Sequence, residues 1–136
     1  MDQNSLLIFV YGTLRQNCPT GAHRLYLQDA QFISPAITQG SLFLIDYYPG
    51  LVITKVISDN ETWVTGEVYL LKDMQQLQQL DRYEGCAEDS PKPHEYIRTL
   101  IDVKLPGEKI LRAWSYVYQG NTKSLAYIAS GNFLAC

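Results

Sequence analysis

Histidine and cysteine are scarce in this chain, and their scarcity removes several kinds of chemistry at once. The two histidines, His23 and His94, and the three cysteines, Cys18, Cys86 and Cys136, form no Cys-x-x-Cys pair and show no ligand spacing. This argues against a structural zinc site and against any metal centre. An odd number of cysteines is also unlike the framework of a disulfide-stapled secreted domain, so reduced thiols are expected. No apolar stretch approaches the roughly 18 residues needed to span a bilayer, and the first residues lack the basic and apolar segments of a secretory signal. A cytoplasmic location without membrane contact is the expectation. A strong excess of one charge is missing too: 14 acidic against 11 basic side chains leave a net charge of −3. With no basic stripe interleaved with aromatics, nucleic acid is excluded as an expected partner. No repeat, low-complexity tract or linker interrupts the 136 residues, and a single domain over 1–136 is expected.

What the chain does have is tyrosine, ten of them, many in stretches that read as strands. There the ring packs on a pleated surface and the hydroxyl keeps a polar tip available. The apolar run Leu6-Leu7-Ile8-Phe9-Val10 reads as a buried first strand and stops at Tyr11-Gly12-Thr13-Leu14. Backbone N–H groups released from a strand ladder at such a glycine turn form a concave site for a carboxylate or another oxyanion. A short helix is expected over His23 to Leu27, and a short strand over Gln31 to Ile33 ahead of Pro35. Gly40 to Asp46 and Leu51-Val52-Ile53 flank Tyr47-Tyr48-Pro49-Gly50 and read as a hairpin. Lys55 to Glu61 reads as a loop, followed by a strand over Trp63 to Leu71 in which Gly66 marks a bulge or a close backbone approach.

The best helix signal follows. Asp73 and Gln76 stand at capping-box spacing, Met74, Leu77 and Leu80 recur every third residue, and Gly85 stops the helix beside Glu84. Cys86 to Glu95, with two prolines, reads as an exposed loop or lid. Tyr96 to Leu105 and Ile110 to Tyr118 read as strands joined at Pro106-Gly107. The tail from Ser124 to Ala129 reads as a short helix. Ile97, Thr99, Ile101 and Val103 give one strand an apolar face, as in a strongly curved or barrel-like sheet. Strands and helices never settle into regular alternation, so the class is α+β.

Glu84 is the carboxylate singled out. It follows an aromatic residue at a helix end, where the dipole disfavours its charge, and partial dehydration there would raise its pKa toward that of a general base. The bland alternative is a residue that only solvates a helix terminus. Cys86 with His94 or His23 would be a nucleophile and base pair, but spacing gives no support and an inert, half-buried thiol is the simpler reading. Tyr116 and Tyr118 share one strand face, where they pack in the core or offer a hydroxyl to a pocket. Trp63 and Trp114 are assigned to packing.

The series Phe9-Val10-Tyr11-Gly12-Thr13-Leu14, Tyr48-Pro49-Gly50, Gly66-Glu67-Val68-Tyr69, Leu80-Asp81-Arg82-Tyr83-Glu84-Gly85, Tyr96-Ile97-Arg98 and Tyr116-Val117-Tyr118 resembles the gamma-glutamylcyclotransferase-like family. The likeness is to its gamma-glutamylamine cyclotransferase and plant avirulence-induced-gene branch, and it covers almost the whole chain. The resemblance implies a small mixed β-barrel of about five to seven strands with a few flanking helices. It also implies a reaction without cofactor or metal, in which the α-amine of a γ-glutamyl group attacks its own γ-carbonyl, releasing 5-oxoproline and an amine. By the same resemblance Glu84 is the catalytic carboxylate and Tyr11, Gly12, Thr13 and Leu14 hold the glutamyl end; of the two tyrosines on one strand face, Tyr118 is the one assigned to substrate binding. A small-molecule γ-glutamyl substrate is the expected partner, and a monomer is the expected state. A metabolite-binding protein on the same fold is the alternative. The acidic residues Glu88, Asp89 and Glu95 either rim the exit of the leaving amine and favour a cationic one, or belong to a solvated loop.

Overall fold

Both faces of the first strand are covered, which is why its sequence is apolar without alternation. In the computed structural model, which describes residues 6–16, 18, 21–53 and 62–133, β1 (Leu7–Val10) sends Leu7 and Phe9 into one core and Ile8 and Val10 into another. The first core holds residues of strands and loops but none from a helix. The second is capped by Ala22 of α1 (Ala22–Tyr26) and by Leu77 and Leu80 of α2 (Met74–Tyr83).

Between these elements run β2 (Gln31–Gln39), β3 (Ser41–Leu44), β4 (Pro49–Val52) and β5 (Trp63–Leu70), and after α2 come β6 (Tyr96–Lys104), β7 (Ile110–Tyr118) and β8 (Ala126–Tyr127). The sheet order is β1-β5-β2-β6-β7-β4-β3-β8, and β1 also pairs with β7. The strands β1, β5, β2, β6 and β7 therefore close a five-stranded barrel, with β4, β3 and β8 extending from β7. Closure is parallel at Ile8 and Trp114, and the Ser115 hydroxyl donates to the Phe9 carbonyl across that seam at 3.0 Å. The β4–β7 pairing is parallel too, while β1–β5, β2–β5 and β6–β7 are antiparallel. This is a mixed barrel with two flanking helices, an α+β fold of the expected kind.

The hairpin across Tyr47 to Gly50 forms as β3 and β4. Gly66 stays in register opposite Ala36, so it is no bulge. A Cβ there would run into the Val10 carbonyl and the Phe9 ring, which makes it the site of close approach. Three expectations are corrected. The strand read over Gln31 to Ile33 continues to Gln39, because a register shift between Phe32 and Ser34 lets Pro35 sit in the ladder. The tail forms strand β8 instead of a helix: Phe43 pairs with Tyr127 and Leu44 with Ala126. So short a segment cannot hold a helix alone, whereas the open edge of β3 offers ready backbone partners. Cys18 is disulfide-bonded while Cys86 is free. Cysteine parity cannot see which side chains the fold brings together, and this bond removes the thiol-based support for a reducing compartment. The loop read over Lys55 to Glu61 lies outside the described residues.

Candidate active site

Three connections fix the turn after β1. Arg15 N–H donates to the Gly12 carbonyl at 3.0 Å and closes it. The Tyr11 hydroxyl donates to the Tyr116 carbonyl at 2.6 Å and accepts from Leu51 N–H at 3.0 Å, tying β1 to β7 and β4. Thr13 Oγ1 lies 2.8 Å from the Tyr83 hydroxyl, which joins the turn to the last residue of α2. Gly12 permits the closest approach: a Cβ would stand 2.9 Å from the Pro49 ring. Gly12 and Leu14 donate no main-chain hydrogen bond to another backbone group among the described residues, so both N–H groups remain available.

The end of α2 is equally determined. Asp73 caps its start by accepting from Gln76 N–H at 2.9 Å, and the side-chain Oε1 of Gln76 reaches back to accept from Lys72 N–H at 2.7 Å. At the other end Gly85 takes φ 74°. Its N–H bonds the Arg82 carbonyl at 3.1 Å, while Cys86 N–H bonds the Asp81 carbonyl at 2.9 Å. This paired closure is the Schellman arrangement, and it leaves Glu84 as the C-cap residue. Asp81 adds a side-chain anchor, accepting from the Tyr116 hydroxyl at 2.8 Å and from Arg98 at 3.1 Å, with the guanidinium 4.7 Å from the Trp114 ring centre.

These two constructions face one another across a cavity of about 240 Å³, lined by Tyr11 to Leu14, Tyr47, Tyr48, Pro49, Tyr83, Glu84, Glu95, Tyr96 and Tyr116 together with the end of β1. Glu84 keeps intermediate exposure through the cavity, yet protein atoms crowd its carboxylate. Burial, followed by the negative charge of Glu95, pushes its pKa up to about 8. The carboxylate has no hydrogen-bond or ion-pair partner among the described residues. Burial and then the charge of Glu84 push the Tyr11 phenol well above its ordinary range, so Tyr11 acts as a neutral strut.

The sequence-predicted residues Tyr11, Gly12, Thr13, Leu14 and Glu84 thus line one cavity. Of the two β7 tyrosines, Tyr116 faces it, whereas Tyr118 stacks edge-on against Tyr96 at 5.8 Å and stands behind the lining. Sequence reasoning did not assign Tyr47, Tyr48, Tyr83 or Tyr96 to the site. An aromatic pair beside a Pro-Gly turn, and an aromatic directly before Glu84, are the signals that mark three of them. Of the acidic segment, only Glu95 reaches the cavity. Cys86 bonds neither histidine: His23 meets the Leu14 carbonyl and His94 the Ser90 carbonyl. Burial and the charge of Asp81 push the Cys86 thiol up to about 11, the opposite of an activated nucleophile.

Comparison with known proteins bears on this geometry. The sequence profile described as gamma-glutamyl cyclotransferase, AIG2-like, matches residues 8–135. The chain belongs to that family. It is 34% identical over 128 residues to the gamma-glutamylcyclotransferase family protein YtfP of Escherichia coli, covering 93% of this chain and 95% of the relative. The solution structure of E. coli YtfP superimposes with a TM-score of 0.62 at 31% identity, over 94% of this chain and 96% of that one. An AIG2-like protein from Mus musculus aligns with a TM-score of 0.69 at 28% identity, over 92% of this chain and 86% of that one.

Proposed function

We propose that this gamma-glutamylcyclotransferase family member is an enzyme that converts a γ-glutamyl amine to 5-oxoproline and the free amine. The observation that carries this reading is an unpaired carboxylate, Glu84, that shares one cavity with the Tyr11 to Leu14 turn and whose pKa is pushed up to about 8, toward that of an amine. Proton transfer from an ammonium to a carboxylate so raised is much less uphill than to an ordinary one.

In this mechanism the N–H groups of Gly12 and Leu14 hold the α-carboxylate of the glutamyl end and thereby direct its α-ammonium toward Glu84. Glu84 takes one proton, and the free amine attacks the γ-carbonyl carbon of the same molecule. Holding nucleophile and electrophile in the ring-closing conformer contributes up to about 7–11 kcal/mol, the range for well-oriented intramolecular reactions. The oxyanion collapses as the C–N bond to the leaving amine breaks. Of the three ammonium protons, one stays on the ring nitrogen and two end on the departing nitrogen by way of Glu84. Substrate zwitterion becomes 5-oxoproline anion and ammonium product, with no water consumed.

The test is 5-oxoproline release from a panel of γ-glutamyl amines and dipeptides, with wild type beside Glu84→Gln. Wild type is expected to release it, and the variant to fold normally and lose at least about a hundredfold in turnover, the lower range for removing an acid–base group. Full activity in the variant would overturn the role of Glu84. Saturable binding without 5-oxoproline would make the protein a metabolite binder instead.

A further inference from the structure

The cavity holds a second carboxylate that the reaction above does not use. Glu95 closes the segment before β6 and lines the same cavity as Glu84, but at its exposed rim. The Tyr48 hydroxyl donates to its Oε1 at 2.7 Å. Tyr48 is held in turn by an edge-to-face contact with Tyr47, whose ring centre is 5.0 Å away, and by the Tyr96 ring at 6.2 Å. The main chain is fixed as well, since the Glu95 carbonyl accepts from Gln119 N–H at 2.8 Å and the adjacent Tyr96 hydroxyl donates to the Pro49 carbonyl at 2.7 Å. Among the described residues no lysine, arginine or histidine lines the cavity and no cation pairs with Glu95.

Charge bookkeeping then points to the substrate. On the reading above, the α-carboxylate of the glutamyl end meets N–H groups and its α-ammonium meets Glu84, which leaves Glu95 without a counter-charge. That residue stands at the mouth, where the leaving group must emerge, between tyrosine faces that attract cations. We propose that Glu95, oriented by Tyr48, is a specificity-determining residue that selects γ-glutamyl amines whose leaving group carries a second positive charge, as a diamine does. Glu88 and Asp89, which lie outside the lining, take no part. The inference rests on the cyclotransferase reading for its frame, while the selection itself is a property of the cavity's charge.

The experiment compares the mono-γ-glutamyl derivative of diaminobutane with that of pentylamine, which has a methyl in place of the terminal ammonium. Wild type is expected to favour the cationic amide by about three- to tenfold in kcat/KM, the range for a rim-exposed charge aided by aromatic faces. Glu95→Gln should bring the ratio near unity and Tyr48→Phe to an intermediate value, with unchanged thermal melts showing that both variants fold. The ratio cancels whatever these changes do to Glu84, since both substrates share it. Equal rates for the two amides in wild type, or an undiminished preference in Glu95→Gln, would overturn the assignment. Failure to release 5-oxoproline from either amide would count against the cyclotransferase reading alone. Calorimetric titration of both amides onto wild type and Glu95→Gln would then read the same preference without turnover. A cationic preference lost in the variant supports the assignment, and equal affinities or no binding overturn it.

Discussion

At the scale of single residues, the position of Glu84 sets its acidity. As C-cap of α2 it sits at the negative end of the helix dipole, is crowded by protein atoms, and has the charge of Glu95 within reach. All three effects disfavour its ionised form. Its pKa rises from the ordinary 4.5 to about 8 in the fold, so the unfolded chain releases this proton more readily than the folded one. The stability this group contributes is therefore complete below about pH 4.5 and is lost as pH rises through about 8. Glu84→Gln should consequently raise Tm relative to wild type at pH 9 and not at pH 4, by a few °C, as read by thermal melts across that range. Catalysis has the opposite sign. On the proposed mechanism, with Glu84 ionised as base and the substrate's α-ammonium as proton source, kcat/KM should climb about tenfold per pH unit below pH 8 and fall again once the α-amine itself deprotonates. A flat profile between pH 6 and 8 would show that the group taking the proton lies elsewhere.

Elements matter here through their ends. The Asp73 cap and the Gly85 closure both stabilise α2, but only the second also aims a side chain into the cavity. Asp73→Ala removes the bond to Gln76 N–H and should cost about 1 kcal/mol in chemical denaturation with kcat/KM unchanged. Gly85→Ala forces a Cβ onto φ 74° and should cost about 1–2 kcal/mol, together with a loss of turnover because Glu84 shifts with the helix end. Equal turnover in these two variants would separate the closure from the chemistry. Much of α2 was legible beforehand, because capping spacing, apolar recurrence and a terminal glycine are local signals. The tail was not: β8 owes its extended form to the exposed edge of β3, a partner more than 80 positions earlier in the chain.

The whole molecule holds the turn after β1 in place from outside. The buried Arg15 donates to Asn132 Oδ1 and the Phe133 carbonyl, and its Nε stands 3.7 Å from Glu67 of β5. Glu67 in turn accepts from Gln16 N–H at 3.0 Å and from the Tyr69 hydroxyl at 2.9 Å. Truncating one partner of a buried pair strands the other charge, so Arg15→Ala should destabilise the protein by about 3–5 kcal/mol, measured by urea unfolding. A loss below about 1 kcal/mol would mean that the pair is solvated in solution.

Sequence alone was enough for what is local or periodic: the apolar first strand and its glycine turn, the start and stop of α2, the hairpin at Tyr47 to Gly50, and the α+β class. Those features rest on backbone freedom, capping and side-chain period, which act over a few residues. Its ordered motifs also carried the family resemblance. Tertiary structure decided the rest. Barrel closure by β1 on β7 brings Tyr11 to Tyr116, 105 positions apart. The facing of Tyr83 and Thr13 joins helix end to turn, and Glu95 enters the cavity while its acidic neighbours stay outside. Which tyrosine of β7 faces the cavity, and whether Cys18 finds a partner, depend on distances that only the folded chain creates. Acidity belongs with these, since the carboxyl of Glu84 departs from its ordinary pKa only once the barrel and helix have excluded water around it.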